Sequence, residues 1–242
     1  MPRRRSENPE PFLIDRAADA ELPSAENIRE WALEKTVGRV ARELRERYQD
    51  FDHYNVTDDP LEELFFILCS TKTSERTYRS TYRSLRAVYP TNADLFAAPL
   101  EDITRVLRPG GLASKKAGVI KRILALLNEQ FGQLTLDPLH ELSDAACERF
   151  LPTLPGVGKK VARCVMMYAL HREVFPVDEH CWRIAKRLRW IRQTRKNRSG
   201  SPRDEDRLQS KLPPEYRHSL HVNFVSLGLH RGKARLALTA DD

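Results

Sequence analysis

Apolar residues recur three and four apart along most of this chain, and a helical repeat of that kind leaves a sheet almost nothing to build on. Asp59-Pro60-Leu61 opens the clearest case. A capping aspartate and a proline at the first helical position precede Leu61, Leu64, Phe65 and Leu68 at helical spacing. Phe66 and Ile67 make the segment apolar nearly all round, which marks a central helix. Ile120, Ile123, Leu124 and Leu127 give a second helix, ended by Gly132 after Phe131. Further helices are expected at 25–48, 74–89, 100–107, 143–152, 159–170, 179–190, 203–211 and 214–230. Only Gln133–Leu136 has a faint strand character, and no alternating run is bounded by hairpin turns. The expected fold class is therefore all-α. The polar stretch 193–207, with Lys196, Arg198, Ser199, Gly200, Ser201 and Pro202, reads as a mobile loop.

At 242 residues the chain can form one large domain or two lobes sharing an interface, and two lobes are expected. With 40% hydrophobic and 31% charged residues, the composition is that of an ordinary globular protein rather than a disordered or membrane one. No stretch approaches the roughly 18 consecutive apolar residues of a membrane span, and MPRRRSENPEP has no apolar segment of signal-peptide type. The protein is expected to stay where it is made, which in a prokaryote is the cytoplasm beside the nucleoid. Residues 1–22 read as a basic disordered tail, although Arg3–Arg5 is also compatible with a nuclear address or a DNA-touching arm. The net charge of +7 favours polyanionic partners, because each cation that meets a phosphate releases condensed counterions. Cys69, Cys147, Cys164 and Cys181 show neither a CxxC pair nor metal-ligand spacing, which fits reduced thiols without a zinc or disulfide framework. Three of them read as buried small apolar residues, and Cys181 is left open.

The most informative stretch is Leu154-Pro155-Gly156-Val157-Gly158-Lys159-Lys160-Val161-Ala162, between a short helix starting near Ser143 and a helix running to about Leu170. Two glycines flanking one valine make a tight turn that another backbone can approach closely. The following helix presents unpaired N–H groups, a natural place for a phosphate. The spacing excludes a P-loop, but a glycine turn that merely joins two packed helices remains an alternative. On the second helix Val161, Cys164, Val165 and Tyr168 form an apolar stripe, and Lys160 lies about 100° away beside Arg163 and Met167. The positive end of the helix dipole and the neighbouring Lys159 and Arg163 disfavour a charged Lys160. A neutral amine is what a nucleophilic lysine requires, and an exposed lysine that binds phosphate or water is the alternative.

Phe175-Pro176-Val177-Asp178-Glu179-His180 places a carboxylate eighteen residues after Lys160. Pro176 and the short connection are expected to return the chain towards the start of the preceding helix and so bring Asp178 near Lys160. Asp178 is also a candidate N-cap for the helix containing Trp182, Ile184 and Leu188, and the two roles are compatible. Asp178 and His180 alone supply too few ligands for a specific metal site, so packing or a phosphate contact is the reading for His180. Trp31, Trp182 and Trp190 sit at helical spacing beside apolar residues and read as core or lobe-interface residues.

The hairpin, the Val-Asp-x-His after it, Arg183 and Arg187-Leu188 together resemble the helix-hairpin-helix DNA glycosylases related to bacterial endonuclease III. Gly111-Leu112-Ala113-Ser114-Lys115-Lys116-Ala117 and the helix ending Leu68-Cys69-Ser70 extend the likeness over roughly residues 58–190, with a weaker echo in Leu220–Gly228. The resemblance implies a two-lobed helical fold with double-stranded DNA bent across the cleft. A helical-barrel lobe at 58–170 would hold the hairpin at 143–170, and 23–57 with 171–242 would form the second lobe. By carry-over Lys160 is the Schiff-base nucleophile of a glycosylase with abasic-site lyase activity, and Asp178 assists it. Gly156, Val157, Gly158, Lys159, Arg163 and His180 are implied on the DNA side. Main-chain carbonyls of Leu154, Pro155 and Val157 are implied as a seat for a monovalent cation. Leu112 aligns with a residue that wedges into the gap left by an extruded nucleotide.

Two departures qualify the likeness. Many relatives hold a four-iron cluster on four cysteines near the C-terminus, whereas residues 228–242, beginning Gly228-Leu229-His230-Arg231-Gly232-Lys233, contain no cysteine, so no cluster and no other cofactor is expected. Lys72, in Ser70-Thr71-Lys72-Thr73, stands where the family often has a gap-filling glutamine. The run around Asp178 with Arg183, Arg187 and Trp190 is also locally similar to plant glycosylases that remove 5-methylcytosine. Two other readings stay open: a monofunctional glycosylase for a mismatched or modified base that uses Asp178 and water, and a non-catalytic DNA-binding module. A monomer suits an enzyme that clamps one lesion.

Overall fold

The computed structural model describes residues 25–50, 57–191 and 202–229, with side chains from Leu33 onward. The Arg3–Arg5 tail, the Trp31 side chain, the loop residues 192–201 and the segment after Leu229 lie outside the described residues. Among the described residues every regular element is helical, in the order α1 Ala25–Tyr48, α2 Pro60–Ser70, α3 Glu75–Val88, α4 Asn92–Ala97, α5 Leu100–Leu107, α6 Ala113–Phe131, α7 Asp144–Phe150, α8 Lys159–Tyr168, α9 Glu179–Arg187, α10 Pro202–Lys211 and α11 Pro214–Leu229.

Local chemistry sets the boundaries. Asp59 accepts from Leu61 N at 2.8 Å and Glu62 N at 3.1 Å, which satisfies two of the unpaired donors that open α2. Gly132, at φ 64°, closes α6 in the left-handed conformation and returns its N–H to Asn128 O at 3.0 Å. The helix expected over 143–152 gives way at Pro152 to a 3-10 turn, Leu151–Thr153, because proline has no N–H to continue the ladder. α4 was not expected. Six residues are too few to show periodicity, but Thr91 and Asp94 form a reciprocal capping box that holds it.

Gln133–Leu136, the stretch with faint strand character, forms no strand among the described residues; it is irregular, and Leu134 O accepts from Asn92 Nδ2 at 3.1 Å. Two expectations are corrected. Where the expected loop 193–207 and the expected helix 203–211 overlap, the helix holds: the chain is helical from Pro202, where proline and the acidic pair Asp204 and Glu205 suit a helix start. α8 is not amphipathic in the sense expected. Arg163 and Met167, read as lying off the core, are 1% and 2% exposed. The cover comes from α7 and α10, whose Glu148 and Asp206 accept from Arg163 at 2.7 and 2.6 Å. A buried guanidinium is tolerable only with such partners, so this triad fastens the hairpin to α10.

The interior divides into two hydrophobic clusters. One runs from Leu61 to Val174 with Val222; the other joins Val37–Leu44 of α1 to residues between Phe175 and Phe224. The division falls between Val174 and Phe175, inside the connection from α8 to α9.

Candidate active site

In the turn between α7 and α8, Gly156 has φ 76°, and a Cβ there would press against the Val119 methyls of α6 at 3.0 Å. Glycine is therefore required twice over, by conformation and by space. The turn closes with Val157 N donating to Leu154 O at 3.1 Å, and the Val157 side chain is buried, so any external contact it makes is through its main chain. Gly158 caps α8, and a Cβ at Gly158 would meet nothing within 4 Å, which leaves that side of the turn open to another molecule. Lys160 comes next but one, in the first turn of α8, and is half-buried.

Asp178 caps α9 and accepts from Cys181 N at 2.7 Å, which fixes the carboxylate in direction as well as place. Burial pushes its carboxyl upward, but His221, the Cys181 N–H, the Lys160 ammonium and His180 more than offset this and hold it below the usual carboxylate range. Lys160 and Asp178 thus sit in one electrostatic neighbourhood although they head different helices. The arrangement supplies an amine beside a carboxylate that stays ionised.

Two residues that the sequence reading missed complete the surroundings. His221 of α11 is fully buried, its Nδ1 donates to Pro176 O at 2.8 Å, and Cys181 Sγ is 3.5 Å from the same nitrogen. Burial pushes the imidazole down to about 4, so it is neutral at pH 7 and ties the Pro176 carbonyl two residues before Asp178. Glu63 of α2 is also fully buried, and its charge is felt with those of Asp178 and Lys160 at the Cys164 thiol, which burial pushes up. A glutamate in the apolar run Leu61–Cys69 was the available signal for Glu63; nothing but an apolar surrounding pointed to His221. All four cysteines are buried, and burial pushes the Cys181 thiol well up, so the residue left open is inert packing.

His180 packs on α11. A methyl group at Gly228 would overlap the His180 ring and stand 2.7 Å from its Cβ, an atom that no rotamer change moves away. Gly228→Ala is therefore expected to cost about 1–3 kcal/mol through overpacking and to lower the thermal midpoint by roughly 2–10 °C. Calorimetry or circular-dichroism melting checks this, and an unchanged midpoint would mean that α9 and α11 are set further apart than described.

The remaining site residues divide into surface and interior. Leu112 is 50% exposed and Lys72 is exposed, each at the tip of a turn. Lys159 is half-buried and its ammonium is engaged by Asp206 at 2.6 Å. Arg163, expected on the DNA side, is instead enclosed in the triad with Glu148 and Asp206, so it supports the hairpin from behind. Trp182 and Trp190 belong to the second hydrophobic cluster.

Residues 66–203 match the family model described as HhH-GPD superfamily base excision DNA repair protein. A relative from Arabidopsis thaliana, provisionally named as a DNA glycosylase, is 36% identical over 69% of this chain, and the match spans just over half, 56%, of that protein. Endonuclease III of Thermotoga maritima is 30% identical over 74% of this chain and 76% of its own length. A solved structure of a trapped covalent intermediate between endonuclease III and DNA superimposes with a TM-score of 0.66 at 25% identity, covering 88% of this chain and 90% of that one.

Proposed function

Since the chain belongs to the HhH-GPD superfamily of base-excision DNA repair proteins, we propose that it excises a base from double-stranded DNA and then cleaves the strand as an abasic-site lyase. The observation that carries the reading is the pairing of Lys160, at the opening turn of α8, with an Asp178 carboxylate held ionised at the cap of α9.

A base inside a duplex is out of reach, so the nucleotide is extruded at a cost of a few kcal/mol, least for a damaged or mispaired one. Lys160 Nζ, once its ammonium has given up a proton, attacks C1′ and the C1′–N glycosidic bond breaks. Its electron pair leaves on the base, which takes up a proton. Asp178 accepts a proton from the lysine nitrogen or stabilises positive charge on the sugar. Ring opening gives an imine, loss of a C2′ proton expels the 3′ phosphate by β-elimination, and water hydrolyses the imine to release the lysine.

The open side of the hairpin suits a phosphate held by the main-chain N–H groups of Gly156 and Gly158, since that of Val157 is given to Leu154 O. The uncharged carbonyls of Leu154, Pro155 and Val157 suit a monovalent cation rather than a transition metal, and Leu154 O keeps one lone pair after accepting from Val157 N. An iron–sulfur cluster does not fit the residues present. It needs four thiolates together, whereas this chain's four cysteines are buried within two separate packing clusters. No described helix is long and apolar enough to cross a membrane. The protein acts as a monomer on one lesion.

Borohydride reduction in the presence of an abasic-site duplex tests the reading, because it captures only a covalent imine. A protein–DNA adduct stable to denaturant is expected. Duplex binding without any adduct would replace the lyase with a monofunctional glycosylase or a binding module.

A further inference from the structure

Lys116 of α6 is 4% exposed, yet its ammonium reaches three oxygens: Cys69 O at 2.7 Å, Gly110 O at 2.8 Å and Thr73 Oγ1 at 3.0 Å. Cys69 and Thr73 flank the turn after α2, whose tip is Lys72; Gly110 opens the turn before α6, whose tip is Leu112. Thr73 Oγ1 also donates to Gly110 O, so the two turns are joined directly as well as through the lysine. One buried cation thus staples two exposed tips.

Both tips are strained. Lys72 has φ 56° and Leu112 φ 52°, a left-handed conformation that non-glycine residues seldom adopt, and neither is asparagine or aspartate. Such strain persists only where the surroundings over-determine the backbone, and it gathers where a side chain must be held ready. Leu112 is an apolar side chain held out into solvent beside a basic one, the pairing by which proteins unstack a duplex while meeting its phosphates. Burial pushes the Lys116 ammonium downward, but three acceptors in place of water keep it bound as a cross-link rather than as a surface charge.

We propose that Lys116 is a positioning residue, whose three hydrogen bonds lock the Lys72 and Leu112 tips into one rigid wedge that enters the duplex. This rests on the DNA-repair reading above but not on its lyase step. Lys116 touches no substrate; it sets two residues that do.

The test uses a duplex with a tetrahydrofuran abasic analogue opposite 2-aminopurine, which brightens when it is unstacked. Fluorescence is read at protein concentrations that saturate the duplex by anisotropy, so that changes in affinity drop out. Wild type is expected to raise it severalfold, and Lys116→Met to give less than about one third of that rise. Borohydride trapping on a natural abasic site, which requires no base extrusion, should stay within about threefold of wild type. A full fluorescence rise from Lys116→Met would overturn the proposal, as would no rise from wild type or an equal loss of fluorescence and trapping, which marks general loosening. A wild-type rise without trapping would remove the lyase reading and leave the wedge standing. If Lys116→Met fails to fold, Thr73→Val decides: it preserves shape, loses the side-chain bridge and should give less than about two thirds of the rise, with an undiminished rise counting against the proposal.

Discussion

Lys160→Ala protein is expected to bind an abasic-site duplex and yield no borohydride-trapped adduct, with strand cleavage reduced by at least about three orders of magnitude. The size reflects what is lost. Without the amine no imine forms, and without the imine the C2′ proton is not acidic enough for β-elimination. The fold should survive, because Lys160 is half-buried in the first turn of α8, where Gly158 rather than a side chain makes the cap, and alanine is the best helix former. Gel separation of the trapped adduct and single-turnover cleavage measure the outcome. An adduct that persists in Lys160→Ala would assign the nucleophile elsewhere.

Asp178→Asn is expected to lower the chemical rate by about 100- to 10,000-fold while keeping the α9 cap in place. The two effects separate because Asp178 holds two jobs. Its Oδ1 accepts from Cys181 N as the cap of α9, and asparagine caps as well as aspartate does. Only the charge disappears, and with it the acceptor for the Lys160 proton. The carboxyl is depressed in the folded state, so its contribution to stability is present above the unfolded carboxylate range and is lost as pH falls through the folded value. Asp178→Asn should therefore flatten the acid limb of the stability profile as well as slow the chemistry. Thermal melts from pH 3 to about pH 7 with single-turnover rates decide it; a variant that loses as much stability at pH 3 as at pH 7 would make Asp178 chiefly a structural cap.

Long helices were legible in the sequence because periodicity, caps and stop residues agree: Asp59 and Pro60 before Leu61, and Gly132 after Phe131. α4 was not, since its signal is confined to a capping box that six residues cannot reinforce. The site was half legible. Lys160 and Asp178 stand out by residue type and by the glycine turn and proline around them. Glu63 and His221 do not, because their meaning depends on which helices pack together, and only that packing brings a glutamate and a histidine to the Lys160 and Asp178 neighbourhood. Arg163 failed in the opposite sense. One helix read by itself gives it an outward face, and only the arrival of α10, distant in sequence, reveals that face as interior.

Lys160 rises from the hydrophobic cluster that ends at Val174, and Asp178 heads a helix of the cluster that begins at Phe175. The proposed pair is therefore split between two hydrophobic clusters that Val222 of α11 and the Arg163–Asp206 ion pair tie together, and its spacing is a gauge of how the two are seated. Mutations far from either residue that shift the seating will register in catalysis before they register in melting. Activity will fade on warming while the helical signal is still intact.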